Sequence, residues 1–273
     1  MIRITVLGAC GTYPAAGRAC SGYLLEASEA GRTARVWIDA GSGTLANLLR
    51  ITNLPELDAI WVSHLHVDHV SDLPLANYAL RYGDWDTPPA PVPVFGPDGW
   101  REHVRAFLAT GEGGAIEDAF QVHHLRDGER IDVGPLQLTA VATAHSIETY
   151  GVRASDGAGV AAYSADSGPC DGLGRLAEDA DLFICEAAWP EQPPGFDPIH
   201  MTPQLAGRWA AEAHAGRLVL THLRPGADVE QAMDRAGEAY GGKVGIAVEL
   251  TTYQLSGAET TSAGPAERPG EPP

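Results

Sequence analysis

Three imidazoles and a carboxylate, His64, His66, Asp68 and His69, fall directly after the mostly apolar stretch Leu57 to Val62. If Ala59 to Val62 is a strand, the two-residue period of extended chain turns His64 and His66 the same way, where they grip one ion. Asp68 and His69 then fall on the turn into a helix and face a second ion. Imidazole and carboxylate are ligands for zinc and its neighbours, and a divalent ion with an open position activates water near neutral pH. A lone histidine is more often solvated or hydrogen-bonded in a core. Four ligand-type residues at HxHxDH spacing weigh against that account.

Two ions need more ligands than this stretch supplies, each expected at the end of a strand-like run. Three positions qualify: His145 ends Leu136 to Ala144, Asp166 follows Val160 to Ala165, and His222 follows Arg217 to Thr221. Strand ends are where α/β proteins present functional groups.

An HxHxDH motif, a lone His, a lone Asp after a strand and a late His resemble the metallo-β-lactamase fold superfamily of dinuclear metallohydrolases, from Met1 to about Leu255. The resemblance implies an α/β fold, a four-layer αβ/βα sandwich with the metals at one edge. It also implies the ligand set: His64, His66 and His145 on one ion, Asp68, His69 and His222 on the other, and Asp166 bridging. The cofactors are expected to be two divalent ions, zinc first, with manganese or iron as alternatives. Asp39, in an Asp-x-Gly turn, is similar to a carboxylate that stands behind the ligands and orients a histidine. Gly41-Ser42-Gly43-Thr44-Leu45-Ala46 fits the dinucleotide fingerprint literally, but the second strand that should carry a ribose carboxylate leads into histidines instead.

Glu186 in Glu-Ala-Ala-Trp, followed by His200-Met201-Thr202 at a helix start, resembles the phosphodiesterase branch of the superfamily. There the glutamate holds the histidine and the histidine protonates the leaving oxygen, so Asp68, Glu186 and His200 are the catalytic candidates. Thr202 also suits an N-cap and Pro203 the first helical position, which is compatible with that role. The loop from Gly8 to Arg18 opens like tRNase Z-like members, making Arg18 a candidate for a phosphate; Arg224, at the rim after His222, is a second.

Splitting a phosphodiester releases a poor alkoxide leaving group and benefits from a general acid, which a lactam or thioester needs less. Between His145 and Asp166 there is room for only two strands, whereas tRNase Z carries a tRNA-clamping arm there. A net charge of -18 repels nucleic-acid backbones and anionic membranes. The pattern therefore resembles the bacterial cyclic-nucleotide phosphodiesterases near tRNase Z, and implies hydrolysis of 3′,5′-cyclic AMP or a relative to the 5′-monophosphate. The alternatives are a tRNA 3′-processing endonuclease without the arm, and a non-catalytic metal or nucleotide sensor.

A chain of 273 residues with 44% hydrophobic content is ordinary for one domain, residues 1–255, and a Gly-, Pro-, Ser-, Thr- and Glu-rich tail, residues 256–273, is expected to be disordered. Met1 leads straight into the strand Ile2 to Leu7, with no signal or membrane-spanning run, so a cytoplasmic location is expected. Four cysteines without CxxC spacing are expected to be reduced. Relatives of this type often pair, so a second copy is a candidate partner. Helices are expected from Gly41 to about Ile51, Leu73 to Tyr82 with Leu75 buried, Trp100 to Leu108, Gly172 to Glu178, Pro203 to about His214 and Asp228 to Tyr240. Gly111 to Gly114 reads as a flexible connection and Val244 to Leu250 as the last strand. His123 and His124 point to opposite sides of a strand and are expected to be structural.

Overall fold

The computed structural model describes residues 1–108, 116–256 and 259–263. The chain opens with β1 (Ile2–Gly8), β2 (Gly22–Glu29), β3 (Arg32–Ile38) and α1 (Thr44–Leu48). Then come β4 (Ala59–Trp61), α2 (Val67–Val70), α3 (Leu73–Tyr82), β5 (Val92–Gly96), α4 (Trp100–Phe107) and β6 (Phe120–His124). A second group follows: β7 (Arg130–Val133), β8 (Leu136–Ala142), β9 (Tyr150–Ser155), β10 (Val160–Tyr163), α5 (Asp171–Ala177) and β11 (Leu182–Glu186). It ends with α6 (Pro203–Glu212), β12 (Leu218–Thr221), α7 (Val229–Tyr240) and β13 (Val244–Ile246). Finally β14 (Thr252–Ser256) and β15 (Glu259–Ala263) return to the first sheet.

The strand orders are β15-β14-β1-β2-β3-β4-β5-β6 and β13-β12-β11-β10-β9-β8-β7. Alternation along each strand divides its side chains between two apolar layers. Leu25, Val36, Trp61 and Ile184 meet between the sheets. Leu24, Trp37 and Ile60 face the helices α3 and α4 through Leu73 and Val104. Phe183 and Leu220 face α5 to α7 through Leu173, Ala206 and Ala236. The result is helix, sheet, sheet, helix: the expected four-layer αβ/βα sandwich. Burial on both faces explains why β4 and β11 read as short, almost uninterrupted apolar runs.

The pairs β3·β4, β10·β11 and β11·β12 are parallel, so the carboxyl ends of these strands share an edge in each sheet. Asp39, His64, Asp166, Glu186 and His222 follow or close those strands. Between His145 and Asp166 stands only the β9–β10 hairpin, with Val160 paired to Ser155.

Several sequence expectations shift. The helix expected to reach about Ile51 stops at Leu48, and that expected to reach about His214 stops at Glu212. Leu75 is 59% exposed, because α3 buries Leu73, Ala76, Asn77 and Leu80, a stripe that Leu75 does not share. The strand at Val244 ends at Ile246, and the last strands are instead β14, paired antiparallel with β1, and β15. Residues 259–263, assigned by composition to a disordered tail, form β15 because β14 presents a free edge for backbone pairing. Residues 257–258 and 264–273 of that tail, and Gly111 to Gly114, lie outside the described residues.

Candidate metal centre

The structure brings all seven predicted ligands together at the shared edge. One group contains His64, His66, His145 and Asp166, a second Asp68, His69 and His222, with donor atoms in each group within 4.8 Å of one another. His66 Nδ1 lies 3.1 Å from both His64 Nε2 and His145 Nε2, and Asp166 Oδ2 lies 3.7 Å from His64 Nε2 and 3.9 Å from His145 Nε2. In the second group Asp68 Oδ2 is 3.8 Å from His69 Nε2 and 3.7 Å from His222 Nε2. Asp166 joins the groups, with Oδ1 3.3 Å from His69 Nε2 and Oδ2 3.2 Å from His222 Nε2.

Divalent ions fit this arrangement on two counts. A tetrahedron with bonds of about 2.1 Å has edges of about 3.4 Å, close to these donor spacings. His69 Nε2 and Asp166 Oδ1 are also sealed from solvent and, although 3.3 Å apart, form no hydrogen bond with each other or with any other described group. Two such orphaned polar atoms are costly unless a cation satisfies them.

A layer of hydrogen bonds fixes the ring orientations. His69 Nδ1 donates to Asp39 Oδ2 at 2.7 Å, and that oxygen also accepts from Ser63 Oγ at 2.8 Å and Tyr163 Oη at 2.9 Å. Asp39 Oδ1 accepts from the Ser63 amide. His64 Nδ1 donates to Ser63 Oγ, His222 Nδ1 to Ser21 Oγ and His145 Nδ1 to the Ile199 carbonyl, each pair within 3.0 Å. The Thr12 amide donates to Asp68 Oδ2 at 2.8 Å. Each of the four imidazole bonds, made through Nδ1, leaves that ring's Nε2 to face the cluster, while the Thr12 amide holds Asp68 by the oxygen nearest His69 and His222.

The backbone is bent to suit. Asp39, Ala165 and His222 have φ of 55°, 54° and 57°, the left-handed region that residues with a Cβ rarely occupy. Each stands just beyond a strand, and the bend aims Asp39, the adjoining Asp166 and His222 at one point. Strain of this kind concentrates at functional sites.

Electrostatics suit three of the rings to donation. Burial, and then the charge of neighbouring histidines, holds His64 well below the usual imidazole value, and burial lowers His66 and His145. These rings therefore offer neutral nitrogens. Burial works against charge on His69 too, but Asp166 and Asp39 outweigh it and hold that ring well above the usual value.

Beside the cluster, His200 Nδ1 donates to Glu186 Oε1 at 2.8 Å and lies 4.0 Å from Asp166 Oδ2. Glu186 is fully buried and also accepts from the amides of Ser167 and Ala188. Burial opposes protonation of His200, yet Glu186 and Asp166 raise its pKa, while the charge of Arg224 pulls it back. Thr202 Oγ1 accepts from Leu205 N, and Pro203 opens α6.

The other candidates separate. Arg224 reaches the surroundings of His200, whereas Arg18 lines a different cleft with Glu249. His123 stacks on Phe95 at 4.7 Å and His124 pairs with Asp98 at 3.1 Å, both outside the cluster. Sequence reading missed Ser21, Ser63 and Tyr163. Ser63 was signalled by standing immediately before the motif; Tyr163 and Ser21 carried no signal.

A four-layer sandwich with a buried His/Asp cluster at its edge defines a metal-dependent hydrolase. Residues 34–223 match the model of the beta-lactamase superfamily domain, and the chain belongs to that family. It is 36% identical to the uncharacterized protein ML1173 of Mycobacterium leprae over 94% of this chain and 90% of that one. It is 31% identical to the probable metallo-hydrolase YhfI of Bacillus subtilis, over 90% of this chain and 97% of YhfI. The crystal structure of YhfI, a metallo-beta-lactamase fold protein, superposes with a TM-score of 0.81 over 93% of this chain and 100% of that chain at 28% identity. Ribonuclease Z of Myxococcus xanthus is 25% identical over 93% of this chain and 98% of its own. Among the described residues no helix is long and apolar enough to cross a membrane.

Proposed function

We propose that this chain is a dinuclear phosphodiesterase that opens 3′,5′-cyclic nucleotides, cyclic AMP foremost, to 5′-monophosphates. His64, His66 and His145 would hold one ion and Asp68, His69 and His222 the other, with Asp166 shared; zinc suits these donors best, manganese or iron next. When bound, the ion pair supplies an activated water and charge stabilisation on the attacked phosphoryl group. Everything else falls to the chain. Asp68 and Asp166 keep the donors in register, and Arg224 is placed to steady a phosphoryl oxygen.

The observation that carries the reading is the Glu186–His200 pair. Glu186 fixes His200 through Nδ1, which leaves Nε2 to deliver a proton to a departing alkoxide. A raised pKa keeps that proton available near neutrality. Such an acid is of most use where the leaving group is poor, as in an alkyl phosphodiester. The similarity to ribonuclease Z supports a phosphodiester as the substrate class, and it keeps a tRNA 3′-processing reading in second place. The short β9–β10 hairpin and the charge of -18 favour the small substrate.

The test is to incubate the metal-loaded protein with cyclic AMP, bis(p-nitrophenyl) phosphate and a 3′-extended tRNA precursor. Turnover of cyclic AMP is expected. Turnover of the tRNA alone would replace the first reading with the second, and binding of nucleotide with no turnover of any would leave a sensor.

A further inference from the structure

The loops that carry Glu186, His200 and His222 do not end at those residues, and their continuations enclose a cleft of about 330 Å³. Ala187 and Ala188 follow Glu186, Pro203 lies just beyond His200, and Leu223 and Arg224 follow His222, while α7 closes the far side with Gln231 and Ala232. Consecutive Cα atoms are about 3.8 Å apart, so the cleft begins one residue from Glu186 and from His222. Arg224 lines the cleft and its charge also acts on His200, which ties the cleft to the edge of the cluster.

The chemistry of the walls is selective. Ala187, Pro190, Pro203, Leu223 and Ala232 turn no polar side-chain group toward the cleft. Two of the polar groups around it are already engaged: Arg235 donates to the Pro190 carbonyl at 2.8 Å and pairs with Glu191 at 2.9 Å, and the Asp228 carboxylate caps α7 by accepting from the Gln231 amide N at 2.9 Å. The side chains of Arg224 and Gln231 have no hydrogen-bond or ion-pair partner among the described residues. An apolar cleft with a few polar groups is the common form of a small-ligand site, and this one is at the compact end of that range. A side-chain amide offers one acceptor and two donors, and it pairs bidentately with the N6 and N7 edge of adenine.

We propose that this cleft is the base-binding subsite: it takes the adenine of a cyclic nucleotide, with the Gln231 amide on the base edge and the Pro203, Leu223 and Ala232 side chains against the ring. The proposal rests on the phosphodiesterase reading and gives it a specificity determinant.

The experiment has two arms on the metal-loaded protein. The first measures adenosine binding, without any phosphate, by saturation-transfer NMR, for the parent and for Gln231→Ala and Ala232→Trp. The second measures kcat and KM for cyclic AMP, cyclic CMP and bis(p-nitrophenyl) phosphate. Loss of the amide is expected to weaken adenosine binding ~10-fold, to raise KM for cyclic AMP by a similar factor with little change in kcat, and to erase the preference over cyclic CMP. Ala232→Trp, which fills the cleft, is expected to do more. Gln231 is exposed, so its truncation leaves the fold intact even if the tryptophan does not. Adenosine binding lost in the variants while cyclic AMP is never hydrolysed would sink the phosphodiesterase reading and keep the subsite. Cyclic AMP turnover with adenosine binding absent, or equal in parent and variants, would overturn the subsite, as would an equal fall on all three substrates.

Discussion

Asp39 Oδ2 accepts a hydrogen bond from His69 Nδ1 at 2.7 Å, with neither side chain reached by solvent. The same oxygen takes hydrogen bonds from Ser63 and Tyr163, so one carboxylate joins β3, the HxHxDH segment and β10. Among the described residues Asp39 has no hydrogen bond or ion pair with another ring of the cluster. The bond leaves Nε2 of His69 to face Asp166.

Replacing Asp39 with alanine should therefore lower metal affinity without removing a ligand. A fall of about 10- to 100-fold is expected, the range for such supporting carboxylates. Competition with a chromophoric chelator measures it, and an unchanged affinity would contradict the assigned role.

Asp166 belongs to the first donor group and lies 3.3 Å from His69 and 3.2 Å from His222 of the second, so its loss should disturb both ions at once. Asp166→Asn is expected to retain fewer than half the ions of the parent by elemental analysis. His145→Ala should leave the second group filled, and the contrast between the two variants is the informative result.

Metal removal should also destabilise the fold, because the ligands come from segments spread between His64 and His222. At a free ion concentration ~100 times the dissociation constant, binding adds about 2.7 kcal/mol to the native state. Chelation should lower Tm, and resupply of zinc should restore it. An identical Tm in both states would show that the cluster folds without help.

Glu186→Gln should act on turnover far more than on binding, since the carboxylate holds His200 rather than an ion. A kcat loss of roughly 100-fold is expected on cyclic AMP, at the lower end for general acid catalysis. With p-nitrophenolate as leaving group the loss should be much smaller. Equal losses on both substrates would place His200 in some other role.

Gly168 faces the Pro198 carbonyl so closely that a Cβ there would collide with it. Gly168→Ala should push the Pro198–His200 loop outward. A displacement of ~1 Å can cost 100-fold in rate, so activity should collapse while far-UV circular dichroism and metal content stay near those of the parent.

The convergence was legible because four ligand-type residues at HxHxDH spacing, and a single His or Asp just after a strand, have few structural uses. His64, His66, Asp68, His69, His145, Asp166 and His222 all converge as their placement implied. Ser21 and Tyr163 were hidden, because a buried hydroxyl reads as an ordinary structural residue until its partner is known. The left-handed turns at Asp39, Ala165 and His222 were invisible for a related reason: no glycine marks them. β14 escaped because Thr252-Tyr253-Gln254-Leu255-Ser256 carries only two large apolar side chains. Backbone pairing with β1 and the Thr5–Thr252 hydroxyl bond at 2.8 Å define it. Leu75 was misplaced by counting apolar residues without weighing their angular spacing.

The antiparallel partnership of β1 with β14 joins residues 3–5 to residues 252–254. During synthesis, β1 emerges long before β14 and keeps one edge bare until residues 252–254 have left the ribosome. Closure of that seam joins residues 247 positions apart and belongs among the slowest contacts to form. A nascent chain stalled before Thr252 would carry all seven residues of the His/Asp cluster and still lack the strand that pairs with β1 in its first sheet, leaving it open to mispairing with its neighbours.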